Sequence, residues 1–146
     1  MTKTQNAIMQ ETRQQILKVI KHLSYSYKKV QNLPSKTESL TTEQLEIWES
    51  FTARFSRVSD LFLSKYLRSF VIRGDPAFSG SLRDFADQGE KMGLIDDTET
   101  WMQIRELRNT SAHEYSETGL SRIFEQLRVL APKLLALKEQ LEKHED

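Results

Sequence analysis

The chain has 146 residues, with 21 basic and 21 acidic side chains and a formal net charge of zero. We treat residues 1–146 as a single domain, since this length is enough for one core. The absence of cysteine excludes disulfides, thiolate zinc sites and thiol nucleophiles. The balanced charge argues against a protein that binds nucleic acid with its whole surface, but it leaves room for a local basic cleft.

No apolar run approaches the length of a membrane span, and the first residues lack the apolar core of a signal peptide. We therefore expect a cytoplasmic protein that does not enter a membrane. Glycine and proline are scarce, at 5 and 3 residues, and long segments are rich in strong helix formers. This composition predicts an all-α fold.

Apolar residues at three- and four-residue spacing predict five helices. Their approximate bounds are 6–31, 41–71, 81–92, 96–115 and 120–143. Short links between them indicate an up-and-down bundle of about five helices. Thr41 with Gln44, Ser81 with Asp84, and Asp96 with Glu99 have the spacing of capping boxes.

The second helix is apolar over so wide an arc that it should lie at the centre of the bundle, packed on several neighbours. Polar interruptions in that arc are Arg54, Arg57 and Asp60. They form either a solvated edge or part of a site. In the last helix, Pro132 lacks a backbone donor, so we expect a kink or a restart there.

The fourth helix carries the most unusual pattern. Wound at 3.6 residues per turn, it collects on one stripe Trp101, Ile104, Arg108, Ser111, Ala112 and Tyr115. Arg108 thus takes a place where a structural helix would carry an aliphatic residue, and an unpaired buried guanidinium is costly. We therefore expect an anion beside Arg108, either a carboxylate or a bound phosphate.

His113 falls on an adjoining face of the same wheel, one turn beyond Asn109. The spacing Arg-x-x-x-x-His-x-Tyr is weak evidence by itself. Arg108 could be satisfied by a helix carboxylate, and His113 could be a cation favoured by the helix dipole at the end of the helix. The sequence has only three histidines and no pair at metal-ligand spacing, so we expect neither a metal nor another cofactor.

Residues 93–97, Trp101 and the run Leu-Arg-Asn-Thr-Ser-Ala-His-Glu-Tyr at 107–115 resemble the HEPN superfamily. The similarity is to its minimal branch, which comprises HepT-like toxins and nucleotidyltransferase substrate-binding proteins. The resemblance implies that Arg108 and His113 are a metal-independent ribonuclease pair oriented by Asn109. It also implies a homodimer, and a cognate minimal nucleotidyltransferase that neutralises the toxin by transferring AMP to Tyr115.

The residue chemistry is compatible with that role. His113 can act as base or acid near neutral pH, and Arg108 can bind a phosphate through two donors. Arg54 and Arg57 could extend the positive field toward RNA, and Asp60 could hold Arg108 when RNA is absent.

The expected function is an endoribonuclease toxin of a toxin–antitoxin pair, with RNA and the nucleotidyltransferase antitoxin as partners. The alternative is a non-catalytic substrate-binding subunit of such a nucleotidyltransferase. A plain helical scaffold is the third possibility.

Overall fold

The structure, a computed structural model, describes residues 3–144, so residues 1, 2, 145 and 146 of the predicted domain lie outside it. Within that range the chain forms helices and loops and contains no strand. The helices are α1 (Lys3–Val30), α2 (Thr42–Asp60), α3 (Leu67–Gly74), α4 (Leu82–Lys91), α5 (Thr98–Ser111), α6 (Glu117–Leu135) and α7 (Leu137–Lys143). A π-helical segment, Leu61–Tyr66, joins α2 to α3 without a break, and only Ala136 separates α6 from α7.

These elements make five helical rods, which confirms the all-α bundle. None of the helices in the described part of the chain is both long and apolar enough to cross a membrane. The continuous helix formed by α2, the π-helical segment and α3 is the central rod of the bundle. The core lies between this rod, α1 and α6, and Trp48 of α2 is fully buried there. Its ring stacks on Phe124 of α6 with centroids 4.8 Å apart. Truncating a side chain of this size in such a core typically costs about 3–5 kcal/mol.

The loop between α1 and α2 is held by polar contacts to the bundle. The Trp48 indole donates to the Pro34 carbonyl at 2.9 Å. Arg128 of α6 donates to the carbonyls of Val30 and Leu33 at 2.8 and 2.7 Å, so its guanidinium satisfies acceptors at the end of α1. These bonds fix the angle at which α2 leaves α1.

The central rod is longer than the predicted 41–71, since it reaches Gly74, and it contains the unpredicted π-helical segment. In that segment the adjacent residues Phe62 and Leu63 are both buried, as are its last residue, Tyr66, and Leu67 directly after it. A wider helical turn lets neighbouring residues share one buried arc. Segments of this kind are frequently found at functional sites.

Local signals predicted two helix starts and missed a third. The capping boxes of Thr41 and Ser81 are present. The N-cap of α5, however, is Asp97 and not Asp96. Asp96 instead forms an ion pair with Lys133 of α6 at 2.8 Å. Two adjacent aspartates compete for such a cap, and the tertiary contact decides between them.

Two further details of the sequence analysis are corrected. Pro132 lies inside α6, and the break comes at Ala136, four residues later. Proline lacks the backbone N–H that would donate to a carbonyl one turn earlier in the helix, but α6 still continues to Leu135. In α1, the four-residue spacing from Ile8 to Thr12 and Ile16 predicts that Ile8 faces the core, yet Ile8 is 54% exposed and its neighbour Met9 is buried.

Candidate functional site

Arg108 lies in the last turn of α5, and the packing of α5 against the central rod fixes its position. Trp101 and Ile104 of α5 are buried. The Trp101 ring lies 4.7 Å from that of Phe62, centroid to centroid. Arg108 follows Trp101 by two helical turns on the same side, so α5 carries its guanidinium to the end of α2.

The guanidinium of Arg108 forms a bidentate ion pair with Asp60. Its Nε lies 2.8 Å from Asp60 Oδ1, and its Nη2 lies 2.9 Å from Asp60 Oδ2. This hydrogen bonding raises the pKa of Arg108 above its ordinary value. The Arg108 side chain is 30% exposed and that of Asp60 is 47% exposed. The expected anion beside Arg108 is therefore a carboxylate at the surface of the protein.

An open cleft of about 530 Å³ contains this ion pair. Its lining residues come from α2, the π-helical segment and α5: Ala53, Ser56, Arg57, Asp60, Leu61, Ser64, Lys65 and Arg108. Three of these side chains are cationic and one, Asp60, is anionic. A protein with no net charge therefore has a local excess of positive charge here. We call this region the Arg108 cleft.

His113 and Tyr115 lie outside α5, which ends at Ser111. The His113 backbone N–H donates to the Thr110 carbonyl at 3.1 Å, so the final turn is tighter than an α-helical turn. The wheel that placed Ala112, His113 and Tyr115 on helical faces is therefore wrong beyond Ser111. The Tyr115 side chain is 89% exposed.

The loop 112–116 is nevertheless ordered by its own polar contacts. Glu114 accepts hydrogen bonds from the N–H and the hydroxyl of Ser116, both at 2.8 Å. These bonds lower the pKa of Glu114, and the bond from the N–H has the larger effect. Ser116 in turn caps α6 by accepting from the Gly119 N–H at 3.1 Å. A Cβ at Gly119 would lie 2.3 Å from Glu114 Cδ, so glycine allows this close approach.

The other predicted site residues are not gathered around Arg108. Asn109 and His113 are both exposed, and neither lines the cleft. Arg54 faces α1, where its Nη1 donates to the hydroxyl of Ser26 at 2.7 Å and to the carbonyl of His22 at 3.3 Å. In the described part of the chain, Arg57, Asp60 and Arg108 line one cleft. Four other predicted residues do not line it: Arg54, Asn109, His113 and Tyr115.

A family model described as nucleotidyltransferase substrate binding protein like matches residues 18–143. The chain belongs to this family. It is a HEPN-like helical family, so the resemblance seen in residues 93–115 is confirmed at that level. The match goes no further toward a toxin. No curated protein matches the chain.

Lys65 is a residue of the cleft that the sequence did not lead us to expect. It lies in the π-helical segment and lines the Arg108 cleft. A signal was present, because Ser64 follows Asp60 by four residues and Lys65 follows Arg57 by eight, so these polar residues share one side of the helix. The sequence analysis treated Arg57 and Asp60 as separate polar positions in an apolar helix, and so did not extend the polar face to Lys65.

Among the described residues that line the Arg108 cleft, Asp60 and Lys65 are the side chains that can transfer a proton. Arg108 presents a planar pair of donors, which suits a phosphate as well as a carboxylate. A phosphate that displaced Asp60 would also lie close to Arg57 and Lys65. The cleft therefore combines donors of a geometry that suits a phosphate with an internal carboxylate that now occupies the donors of Arg108.

Proposed function

We propose that this protein is the substrate-binding subunit of a minimal nucleotidyltransferase, and that its Arg108 cleft holds a phosphate of the substrate. Family membership over residues 18–143 supports the association with a nucleotidyltransferase. The observation that carries the binding role is the bidentate pairing of Arg108 with Asp60 in an open cationic cleft.

In this proposal Asp60 acts as a replaceable partner. Without substrate, its carboxylate satisfies the Arg108 donors and avoids the cost of leaving them unpaired. A substrate phosphate carries more charge than the carboxylate and can accept the same two hydrogen bonds. Arg57 and Lys65 then add electrostatic attraction for the phosphate, beyond the two hydrogen bonds that Arg108 donates.

The position of His113 favours this binding role over catalysis within one chain. Its ring makes no hydrogen bond or ion pair among residues 3–144 and does not line the cleft. Phosphate binding by Arg108 needs no such group, whereas RNA cleavage does. The family match therefore makes the substrate-binding subunit the first of the two candidate functions.

The test is a reconstituted transfer reaction. A minimal nucleotidyltransferase from the same genome should co-purify with this protein and need it for full activity. Arg108→Ala should raise KM for the phosphate-bearing substrate at least about tenfold, because a charge-assisted bidentate contact is lost. Arg105→Ala is the matched control, since Arg105 is exposed on the same helix and does not line the cleft. Equal KM values for the two variants would contradict the proposal.

A second candidate function is the metal-independent endoribonuclease toxin. It is favoured by the complete Arg-Asn-x-x-x-His-x-Tyr motif and by the exposure of His113 on a short ordered loop. In that reaction the RNA 2′-oxygen attacks the adjacent phosphorus, the bond to the 5′-oxygen breaks, and a cyclic phosphate forms. One His113 would take the 2′-hydroxyl proton, the His113 of a second copy would protonate the leaving oxygen, and Arg108 would stabilise the phosphorane.

Incubation with RNA in EDTA tests this second candidate. Cleavage should be lost in His113→Ala, with an unchanged melting temperature because the ring is exposed, and should be retained in Arg105→Ala. Wild-type protein that leaves RNA intact, or a His113→Ala variant that cuts at the wild-type rate, would exclude it.

Regulation by AMP transfer would act at Tyr115. Its phenolic oxygen would attack the α-phosphorus of ATP, displace pyrophosphate and lose its proton to the transferase. The 89% exposure of the side chain is what such a modification requires. Intact-protein mass spectrometry after incubation with the transferase and ATP should show an AMP adduct on the wild type and none on Tyr115→Phe. An adduct on the variant would mean a different acceptor.

A further inference from the structure

A second cavity, of about 810 Å³, lies between α1 and the α6–α7 rod, away from the Arg108 cleft. We call it the α1–α7 groove. The residues that bear on its chemistry are Leu17, Ile20, Lys21, Tyr25, Lys28 and Lys138. Its size is within the range of small-molecule sites. No residue lines both this groove and the Arg108 cleft.

The groove has an apolar floor and a cationic rim. Leu17 and Ile20 belong to the inward side of α1, while Lys21, Lys28 and Lys138 are exposed. Within residues 3–144, none of the three ammonium groups has an ion-pair or hydrogen-bond partner. Glu142 is the one carboxylate among the described lining residues. The rim therefore holds positive charge that the described part of the chain does not neutralise.

Tyr25 supplies a flat aromatic surface between two of these lysines. Its side chain is 58% exposed, although the Lys29 ammonium lies over the ring at 4.7 Å from the centroid. Along α1, Tyr25 follows Lys21 by four residues and precedes Lys28 by three. Lys21 and Lys28 are thus roughly 6 and 4.5 Å from Tyr25 along the helix axis, on one face. A ring stacked on Tyr25 and an anionic group bound by a lysine can belong to the same small molecule.

We propose that the α1–α7 groove is a binding site for a nucleoside phosphate. The base would stack on Tyr25 above the apolar floor, and the phosphate would bind at the cationic rim formed by Lys21, Lys28 and Lys138. Base–aromatic stacking and lysine–phosphate attraction are the two contributions that proteins commonly combine for such ligands. A free phosphate would not use the apolar floor, and a free nucleoside would not use the lysines.

Calorimetric titration of the full chain at low salt tests this site with AMP, adenosine and inorganic phosphate as separate probes. AMP should bind at least about tenfold more tightly than adenosine or phosphate, because only AMP uses both features. The variant Lys21→Gln/Lys28→Gln/Lys138→Gln should weaken AMP binding about tenfold or more. Tyr25→Ala should weaken binding of AMP and not that of phosphate.

The matched control is Lys18→Gln/Lys36→Gln/Lys91→Gln, which removes the same charge from exposed lysines outside the groove. It should bind AMP as the wild type does. Loss of AMP binding in Arg108→Ala, with normal binding in the groove variant, would place the nucleotide in the Arg108 cleft and overturn the inference. Absence of AMP binding, or capture of the protein by phosphatidylserine vesicles without AMP binding, would also overturn it. Because the groove shares no residue with the Arg108 cleft, these results are separate from those that test the proposed function.

Discussion

Replacing Asp60 by asparagine should lower stability and strengthen phosphate binding at the same time. The carboxylate now accepts two hydrogen bonds from Arg108, at 2.8 and 2.9 Å. Asparagine keeps one acceptor and loses the charge. The Arg108 guanidinium is then less well paired in the free protein and more available to an anion.

The size of the effect follows from the geometry and the exposure. A bidentate charge-assisted pair is stronger than an average surface ion pair, but Asp60 is 47% exposed and water screens its charge. We expect a loss of about 1 kcal/mol in the free energy of unfolding. For a chain of this size that corresponds to a decrease in Tm of about 3–5 °C. Release of the same free energy to a phosphate would tighten its binding up to about fivefold.

Thermal unfolding followed by circular dichroism measures the first effect, and calorimetric titration with phosphate or a nucleotide substrate measures the second. Asp96→Asn is the control, because Asp96 forms an exposed ion pair with Lys133, with the Asp96 side chain 70% exposed. It should change stability by less than about 0.5 kcal/mol and leave phosphate binding unchanged. A double-mutant cycle with Arg108→Gln should give a coupling energy of about 1 kcal/mol.

Two results would refute this reasoning. Weaker phosphate binding in Asp60→Asn would show that Asp60 supports the anion site and does not compete with the anion. A coupling energy near zero would show that the ion pair is not formed in solution.

Four further predictions concern the neighbouring elements. Arg54→Ala should lower stability by about 1–2 kcal/mol in a chemical denaturation curve, because it removes two bonds between α2 and α1. Arg57→Ala should instead change stability by less than about 0.5 kcal/mol and weaken phosphate binding. A loss of stability in Arg57→Ala, or weaker phosphate binding in Arg54→Ala, would contradict these two predictions. Gly119→Ala should displace Glu114 and speed hydrogen exchange in the loop 112–116, with stability within about 1 kcal/mol of the wild type because alanine favours the helix. Ser116 lowers the pKa of Glu114, so their bonds persist above the unfolded pKa and are lost as the pH falls through the lower folded value. Acid should therefore lower the protection factors of the amides in loop 112–116, measured relative to the intrinsic exchange rate at each pH. Protection factors that are independent of pH would contradict this.

The sequence by itself determined the five helical segments and the capped starts of two of them, α2 and α4. Residue spacing marks the apolar face of a helix, and a capping box is a contact between residues three apart. Thr41 and Ser81 could therefore be identified with no knowledge of the fold. Local signals are weaker where a helix ends without glycine or proline, and α5 ends at Ser111 with neither beside it. For this reason the sequence extended the helix to Tyr115.

Tertiary packing alone decided which polar residues share a site. Asp60 and Arg108 are 48 residues apart, and they meet because Trp101 packs on Phe62. The sequence could suggest that pair but could not exclude Arg54, which the packing turns toward α1. Lys21 and Lys138 likewise share a groove only because α1 and α7 lie side by side. Helix formation depends on neighbours in sequence, whereas a site depends on which faces of distant helices meet, and the burial of the whole core fixes that.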